Sequence, residues 1–284
     1  MASVSFTPVF SSLEEHPTFN SFPECELFIE IGQFHIGIMI LDRVQNMIMA
    51  TELIDFHGDA NSALINDYLE LRDLKNAKFK AVNLIFNTKE FTLIPSIANN
   101  PLLYRQMLET IHGDMLDLQF NADQLEYFEA VNVYGVQREI NACLHQYFPN
   151  INRIHKNSCF AKSVLPQLDH LQSQFIKVHF SPSHMDIIIV KSKKLQFLQK
   201  FYYETTDDTI FFLLSLSEKF KLNKSSVSLC ASGILDLNSI TFLELKKHFP
   251  VIEIETNDSV SIAAQLNEIP SHFLTPLMMS LSCV

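Results

Sequence analysis

The chain has 284 residues, 47% of them hydrophobic and 19% charged, so it can bury a full core and general disorder is excluded. Its 21 basic and 32 acidic residues leave a formal charge of −11, which repels phosphate backbones and anionic lipid heads and argues against nucleic acid as a partner. Five cysteines, Cys25, Cys143, Cys159, Cys230 and Cys283, form no C-x-x-C pair and suit reduced thiols in a cytoplasmic protein. Met1 to Phe10 lack the basic head and long apolar core of a signal peptide, and no run reaches about 18 consecutive apolar residues, so direct membrane insertion is not expected.

Residues 1–24 hold Pro8, Pro17 and Pro23 and read as a loosely attached arm with an edge strand at Val4 to Thr7. Two apolar strands follow, Phe28 to Gly32 and Ile36 to Asp42, joined by a tight polar turn. A third strand (Met47 to Ile54) leads past Asp59 into a helix (Ser62 to Arg72) whose stripe Leu64, Ile65, Tyr68, Leu69 covers one sheet face. A buried strand, Ala81 to Phe86, comes next, then a segment from Glu90 that stops at Pro95. Pro101 suits the first turn of a helix running to Ile111, and Gly113 ends it. Tyr127 to Tyr134 reads as strand, Val136 to Tyr147 as helix, Asn152 to His155 as strand, and Phe160 to Leu171 as a helix kinked or split at Pro166.

The opening pattern then returns. Phe175 to His179 and Met185 to Lys191 repeat the first hairpin at offsets of 147 and 149, and a third strand (Leu195 to Tyr203), an acidic helix start (Asp207, Asp208), a helix (Thr209 to Phe220) and a strand (Ser226 to Ala231) keep the same order. The second helix is apolar almost all round, which places it between layers. Ser239 to His248 reads as helix and Pro250 to Glu255 as strand. The apolar tail from Pro270 is a core helix, with a partner-binding tail as the alternative. The repeat predicts two domains, 25–172 with an elaborated region at about 90–150, and 173–284.

A doubled strand-strand-strand-helix-strand-helix-strand unit describes a pair of ribonuclease H-like domains: an α/β chain of two mixed sheets flanked by helices. Through Phe79 to Pro95, Phe201 to Leu214 and Ser228 to Ser239 the sequence resembles the actin-like ATPase superfamily, and within it an uncharacterised family found mainly in Bacteroidetes, related in fold to the type IV pilus assembly protein M and the cell-division actins. The resemblance implies nucleotide bound between two domains by Asp-x-Gly-Thr/Ser hairpins, in which the carboxylate organises Mg²⁺, glycine admits phosphate and the hydroxyl donates to it. The matching positions are Glu30, Gly32 and Gln33 in the first hairpin and Lys177, His179 and Phe180 in the second, while Ser232-Gly233 matches the turn that holds adenosine. A lysine at a metal-organising position is incompatible with that Mg²⁺ arrangement. No catalytic residue, metal site or resident cofactor is therefore expected, and the function implied is a non-catalytic interaction scaffold with an unidentified protein partner.

The alternative is an enzyme or switch that still binds ATP through Gly32, Gln33 and Ser232-Gly233, with Lys177 meeting phosphate directly. Gly32 and Gly233 also suit plain turn geometry. Glu30 and Lys177, equivalent in the repeat, are candidates to pair with each other, or each to face solvent. Gly32 to Gly37 has P-loop spacing, but Ile38-Met39 stands where Lys-Ser/Thr is required. His179 and His184 flank a turn and read as surface or turn histidines, and Asp207-Asp208 as a helix cap.

Overall fold

The computed structural model describes residues 6–12, 22–168, 174–256, 260–266 and 269–283. Near-continuous apolar runs form strands buried on both faces, and these make the middle of two separate sheets. The first sheet begins with β1 (Thr7–Ser11), the hairpin β2 (Glu26–Gly32) and β3 (His35–Asp42), and β4 (Met47–Asp55). Helix α1 (Ser62–Leu71) is capped by Asn61, whose side chain accepts from the Leu64 amide, and it buries Ile65, Tyr68 and Leu69. It is followed by β5 (Ala81–Asn87).

The elaborated region forms a sheet of its own, from β6 (Phe91–Pro95), helix α2 (Tyr104–His112), β7 (Leu118–Leu125) and β8 (Ala130–Gln137). Tyr104, Leu108, Met115, Val131 and Val133 give it a small core. Helix α3 (Arg138–Tyr147), β9 (Asn152–His155) and helix α4 (Lys156–Lys162) return the chain to the main sheet. There the strands run β1-β4-β3-β2-β5-β9, with β2–β5 and β5–β9 parallel and the rest of that path antiparallel.

The second sheet is built from β10 (Gln174–Phe180), β11 (His184–Lys191), β12 (Lys194–Tyr202), β13 (Ser228–Gly233) and β14 (Ile252–Ile254), with helices α5 (Thr206–Lys219) and α6 (Ile240–His248). Its order, β12-β11-β10-β13-β14, has two antiparallel pairs followed by two parallel ones, the arrangement of β4-β3-β2-β5-β9. Ile176, Val178, Phe180, Met185, Ile187 and Ile189 turn one face of it into the core under α5 and α6. Late in the chain β15 (Ser261–Ile262) runs parallel to the start of β4, and α7 (Thr275–Met279) follows. The chain divides into two compact units: the first runs to Ser158 and takes back Asp258–Ile269, and the second is Cys159–Asn257 with Pro270–Ser282.

Several local expectations move. The edge strand lies at Thr7–Ser11, later than Val4 to Thr7, because it pairs antiparallel with Glu52 to Asp55; Val4 and Ser5 lie outside the described residues. Strand β7, with its polar alternation, was not legible as a strand, and α3 starts two residues late because Val136 and Gln137 complete the ladder with β7. The Phe160 to Leu171 helix is replaced by α4 and a 3-10 turn at Leu165–Gln167, with Pro166 inside the turn; 169–173 lie outside the described residues. Helix α5 is not buried all round, since Phe211 is 63% exposed. Thr205 and Asp208 close a reciprocal capping box at its start. His179 and His184 flank the turn between β10 and β11 as expected, but neither is at the surface: both are buried.

Candidate functional site

The end of the first hairpin is the place to which the sequence assigns most chemistry. Glu30 sits on β2 opposite Gly37, with Ile85 of β5 on its other side. Its carboxylate is buried and accepts from Asn87 Nδ2 at 2.8 Å and from His35 Nε2 at 3.0 Å, and the Lys156 ammonium lies 3.8 Å from the same oxygen. Glu30, His35, Asn87 and Lys156 are each at most 4% exposed. Burial would raise the Glu30 carboxyl, but Lys156 first, then His35 and Asn87, outweigh it and hold the group well below the usual carboxylate range. The His35 ring also fills the space above Gly32, for a Cβ there would stand 2.2 Å from His35 Cε1. Gln33, next in the turn, points elsewhere and donates to Asp59 at 2.9 Å.

Beside this hairpin the polar run His155 to Ser158 is buried at the junction of β9 and α4. The His155 Nδ1 accepts from the Asn157 amide, so Nε2 carries the proton, toward the Thr88 carbonyl at 3.3 Å. Asp123 accepts from the His155 amide at 2.8 Å and the Ser158 hydroxyl at 2.6 Å, which ties β7 to the same junction. A cavity of about 200 Å³ opens on the other side of the turn, lined by Gly32, Gln33, Asp59, Thr88, Lys89 and Gln137.

In the second unit Lys177 is fully buried on β10. Its ammonium donates to Glu255 at 2.5 Å and to Ser163 Oγ at 2.8 Å, and it lies 5.7 Å from the centre of the Phe160 ring. Cys230 is its register neighbour on β13; burial, opposed by Lys177, pushes that thiol up to about 12. His179 Nδ1 and Ser232 Oγ are 3.0 Å apart, both buried, and His179 pairs in register with Asp186. Gly233 has φ +85°, and a Cβ there would stand 2.0 Å from the Phe180 carbonyl oxygen and 2.5 Å from His179 Cε1, so only glycine is accommodated.

Neither alternative for Glu30 and Lys177, a mutual pair or two side chains facing solvent, is found: both are buried, in two pairs each inside its own unit. Registering the sheets on β2 and β10 makes these pairs equivalent. Glu30 neighbours Ile85 and then Ile154, and two residues on stands Lys156. Lys177 neighbours Cys230 and then Glu253, and two residues on stands Glu255. One buried ion pair occupies the same place in both units with its signs exchanged. Registration also corrects the repeat: Phe28 pairs with Met39 where Phe175 pairs with Val190, so the offset on the second strand is 151, two more than the sequence pattern indicated. Lys156, Glu255, His35, Asn87 and Ser163 escaped sequence reasoning. For Lys156 and Glu255 the signal was only a charged residue directly after a short strand, which also describes a solvated loop.

Among the described residues no group of three or more His, Cys, Asp or Glu is placed to hold a metal ion, and no helix is long and apolar enough to cross a membrane. A family model described as "Protein of unknown function (DUF3822)" matches residues 16–252. The chain belongs to that family. No curated protein matches it in sequence. Among solved structures, this DUF3822 protein is similar to a Bacteroides thetaiotaomicron protein with actin-like ATPase fold and unknown function, at TM-score 0.77 and 16% identity over 94% of this chain and 99% of that one. It is also similar to a chain of the PilM-PilN type IV pilus biogenesis complex, at TM-score 0.55 and 12% identity over 90% and 98%. At these identities the likeness establishes the fold: the DUF3822 chain has the actin-like ATPase fold expected from its repeated unit.

Proposed function

We propose that this protein is a non-catalytic member of the actin-like fold that works by binding protein partners in the cytoplasm, its two units descending from one duplicated ancestor. The observation that carries the reading is the state of Glu30. Its carboxylate is enclosed with Lys156, His35 and Asn87, while His35 fills the approach to Gly32. A magnesium–phosphate group needs a carboxylate facing water and a glycine that backbone and phosphate can share, and the residues present do not fit one. Lys156 gives Glu30 the positive charge that a hydrated cation would otherwise supply. In the second unit Lys177 is committed to Glu255 and Ser163, and His179 lies against Gly233. The shared topology and the sign-exchanged pair support duplication. The PilM-PilN complex is an assembly with a protein partner, and this supports the same class of role here.

Nucleotide binding is the second reading, favoured by the cavity beside Gly32 and Gln33. At about 200 Å³ it falls short of the roughly 300–1,000 Å³ of small-molecule sites. Calorimetric titration of the full chain with ATP and ADP, with and without Mg²⁺, tests the proposal. No heat beyond dilution is expected, and tight Mg²⁺-dependent binding would overturn it.

A further inference from the structure

Helices α5 and α6 cover one face of the second sheet and turn their other sides to water. Each crosses between strands of one direction, α5 from β12 to β13 and α6 from β13 to β14, so the two helices run the same way. Their starts lie together, for the hydroxyls of Thr206 and Thr241 are 2.7 Å apart. α5 is buried through Thr209, Leu213 and Leu216, and α6 through Leu245. On the sides turned away, Phe211 is 63% exposed, Ile240 72% and Leu243 51%. Alignment at Thr206 and Thr241 leaves Phe211 and Leu243 offset by only about 5 Å along the axes, so the three side chains form one band across the pair.

The band separates charges of opposite sign. Glu204, Asp207 and Asp208 stand at the head of α5, and Asp236 shortly before α6. The tails carry Lys219, Lys221, Lys246 and Lys247 with Glu218 and Glu244, which leaves that end positive. Acids at a helix start and lysines at its end answer the helix dipole. Three large apolar side chains kept in water between them do nothing for the dipole, and an exposed apolar patch rimmed by charge marks an interaction surface.

The order acidic, apolar, basic restricts what fits. A two-fold axis through the apolar band lays each acidic head on the other copy's basic tail and brings the two bands together, the self-complementarity that a closed pair of identical subunits requires. Anionic lipid, which the lysines would attract, is repelled by the acidic head.

We propose that the outer face of α5 and α6 is an interface between two copies of this chain, paired antiparallel about a two-fold axis. α5, with 14 residues, is about 21 Å long, and two helices each about 10 Å wide give about 400 Å² per copy. That is at the low end of specific interfaces, so the pairing is weak and reversible. It is independent of whether the hairpins bind nucleotide, and the titration above leaves it untouched.

Sedimentation equilibrium of the full chain over a wide concentration range is expected to show monomer and dimer in exchange. Phe211→Ser should weaken association about tenfold or more. Charge is tested with two further variants. Glu204→Lys, Asp207→Lys and Asp236→Asn together make the head basic, and the last keeps an acceptor for the Asn238 amide, which Asp236 holds at 2.8 Å. Lys246→Glu with Lys247→Glu makes the tail acidic. Each variant alone should associate about tenfold more weakly or worse, because like charges then meet at both ends. An equimolar mixture should regain the dimer, since each end of one variant meets an end of opposite sign on the other. The substituted positions are exposed, and an unchanged melting temperature at low concentration shows that each variant is folded. A dimer indifferent to these substitutions, or a mixture that stays monomeric, would overturn the proposal. So would a monomer at every concentration, which would leave the face to a different protein.

Discussion

At the scale of single residues, burial decides what a side chain can do. Glu30 is a carboxylate at the tip of a hairpin, where exposure would leave it free to hold a cation. Enclosed with Lys156, it becomes half of an internal ion pair whose worth lies in not being broken. Lys156→Met should therefore cost about 3–5 kcal/mol in urea denaturation, because an uncompensated carboxylate is left behind. Adding Glu30→Gln should recover most of that loss. Acid should act on the same pair. Since the folded carboxyl titrates below its unfolded counterpart, its stabilisation is complete above about pH 4.5 and is lost as pH falls through the folded-state value. Stability in Glu30→Gln should fall less steeply over that acid range, and denaturation curves taken at several pH values check this.

At the scale of elements, strand edges explain segments that pattern alone left vague. β1 is short, mostly exposed and carries Pro8, so by sequence it is barely a strand. It forms because β4 offers an edge, because Ser11 donates to the buried Glu52 at 2.9 Å, and because Phe6 stacks edge-on against Phe56 and Tyr68. Glu52 is already held by Tyr68 at 2.6 Å and by Arg72, so the arm completes an existing network. Removing residues 1–12 should lower stability by about 1–3 kcal/mol. The bared β4 edge should also promote association, visible as faster species in sedimentation velocity. Strand β7 is the opposite case: its polar alternation hides a strand that exists because β8 supplies a ladder and α2 a cover.

For the molecule as a whole, the two sheets share one strand order and one buried ion pair with its signs exchanged. If that pair is a structural device and its polarity is incidental, reversing it should be tolerated. Lys177→Glu and Glu255→Lys should each destabilise strongly. Together they should regain much of the loss, with a coupling energy of roughly 1–3 kcal/mol in a double-mutant cycle. Absence of coupling would show that Lys177 serves something other than Glu255.

The sequence by itself determined the sheets. Runs such as Ile36 to Leu41 and Ile187 to Val190, short, apolar and bounded by turn residues, read as buried strands, and their recurrence in order implied two like units and the actin-like fold. It also marked Glu30 and Lys177 as equivalent, because register within a strand is a local property. Only the tertiary structure decided their partners. Lys156 and Glu255 lie 126 and 78 residues away along the chain, directly after strands too short to carry a pattern. Which charge meets which depends on the parallel pairing of β5 with β9 and of β13 with β14. Periodicity reports the face a residue turns to, whereas an ion pair requires knowing what another part of the chain brings to that face.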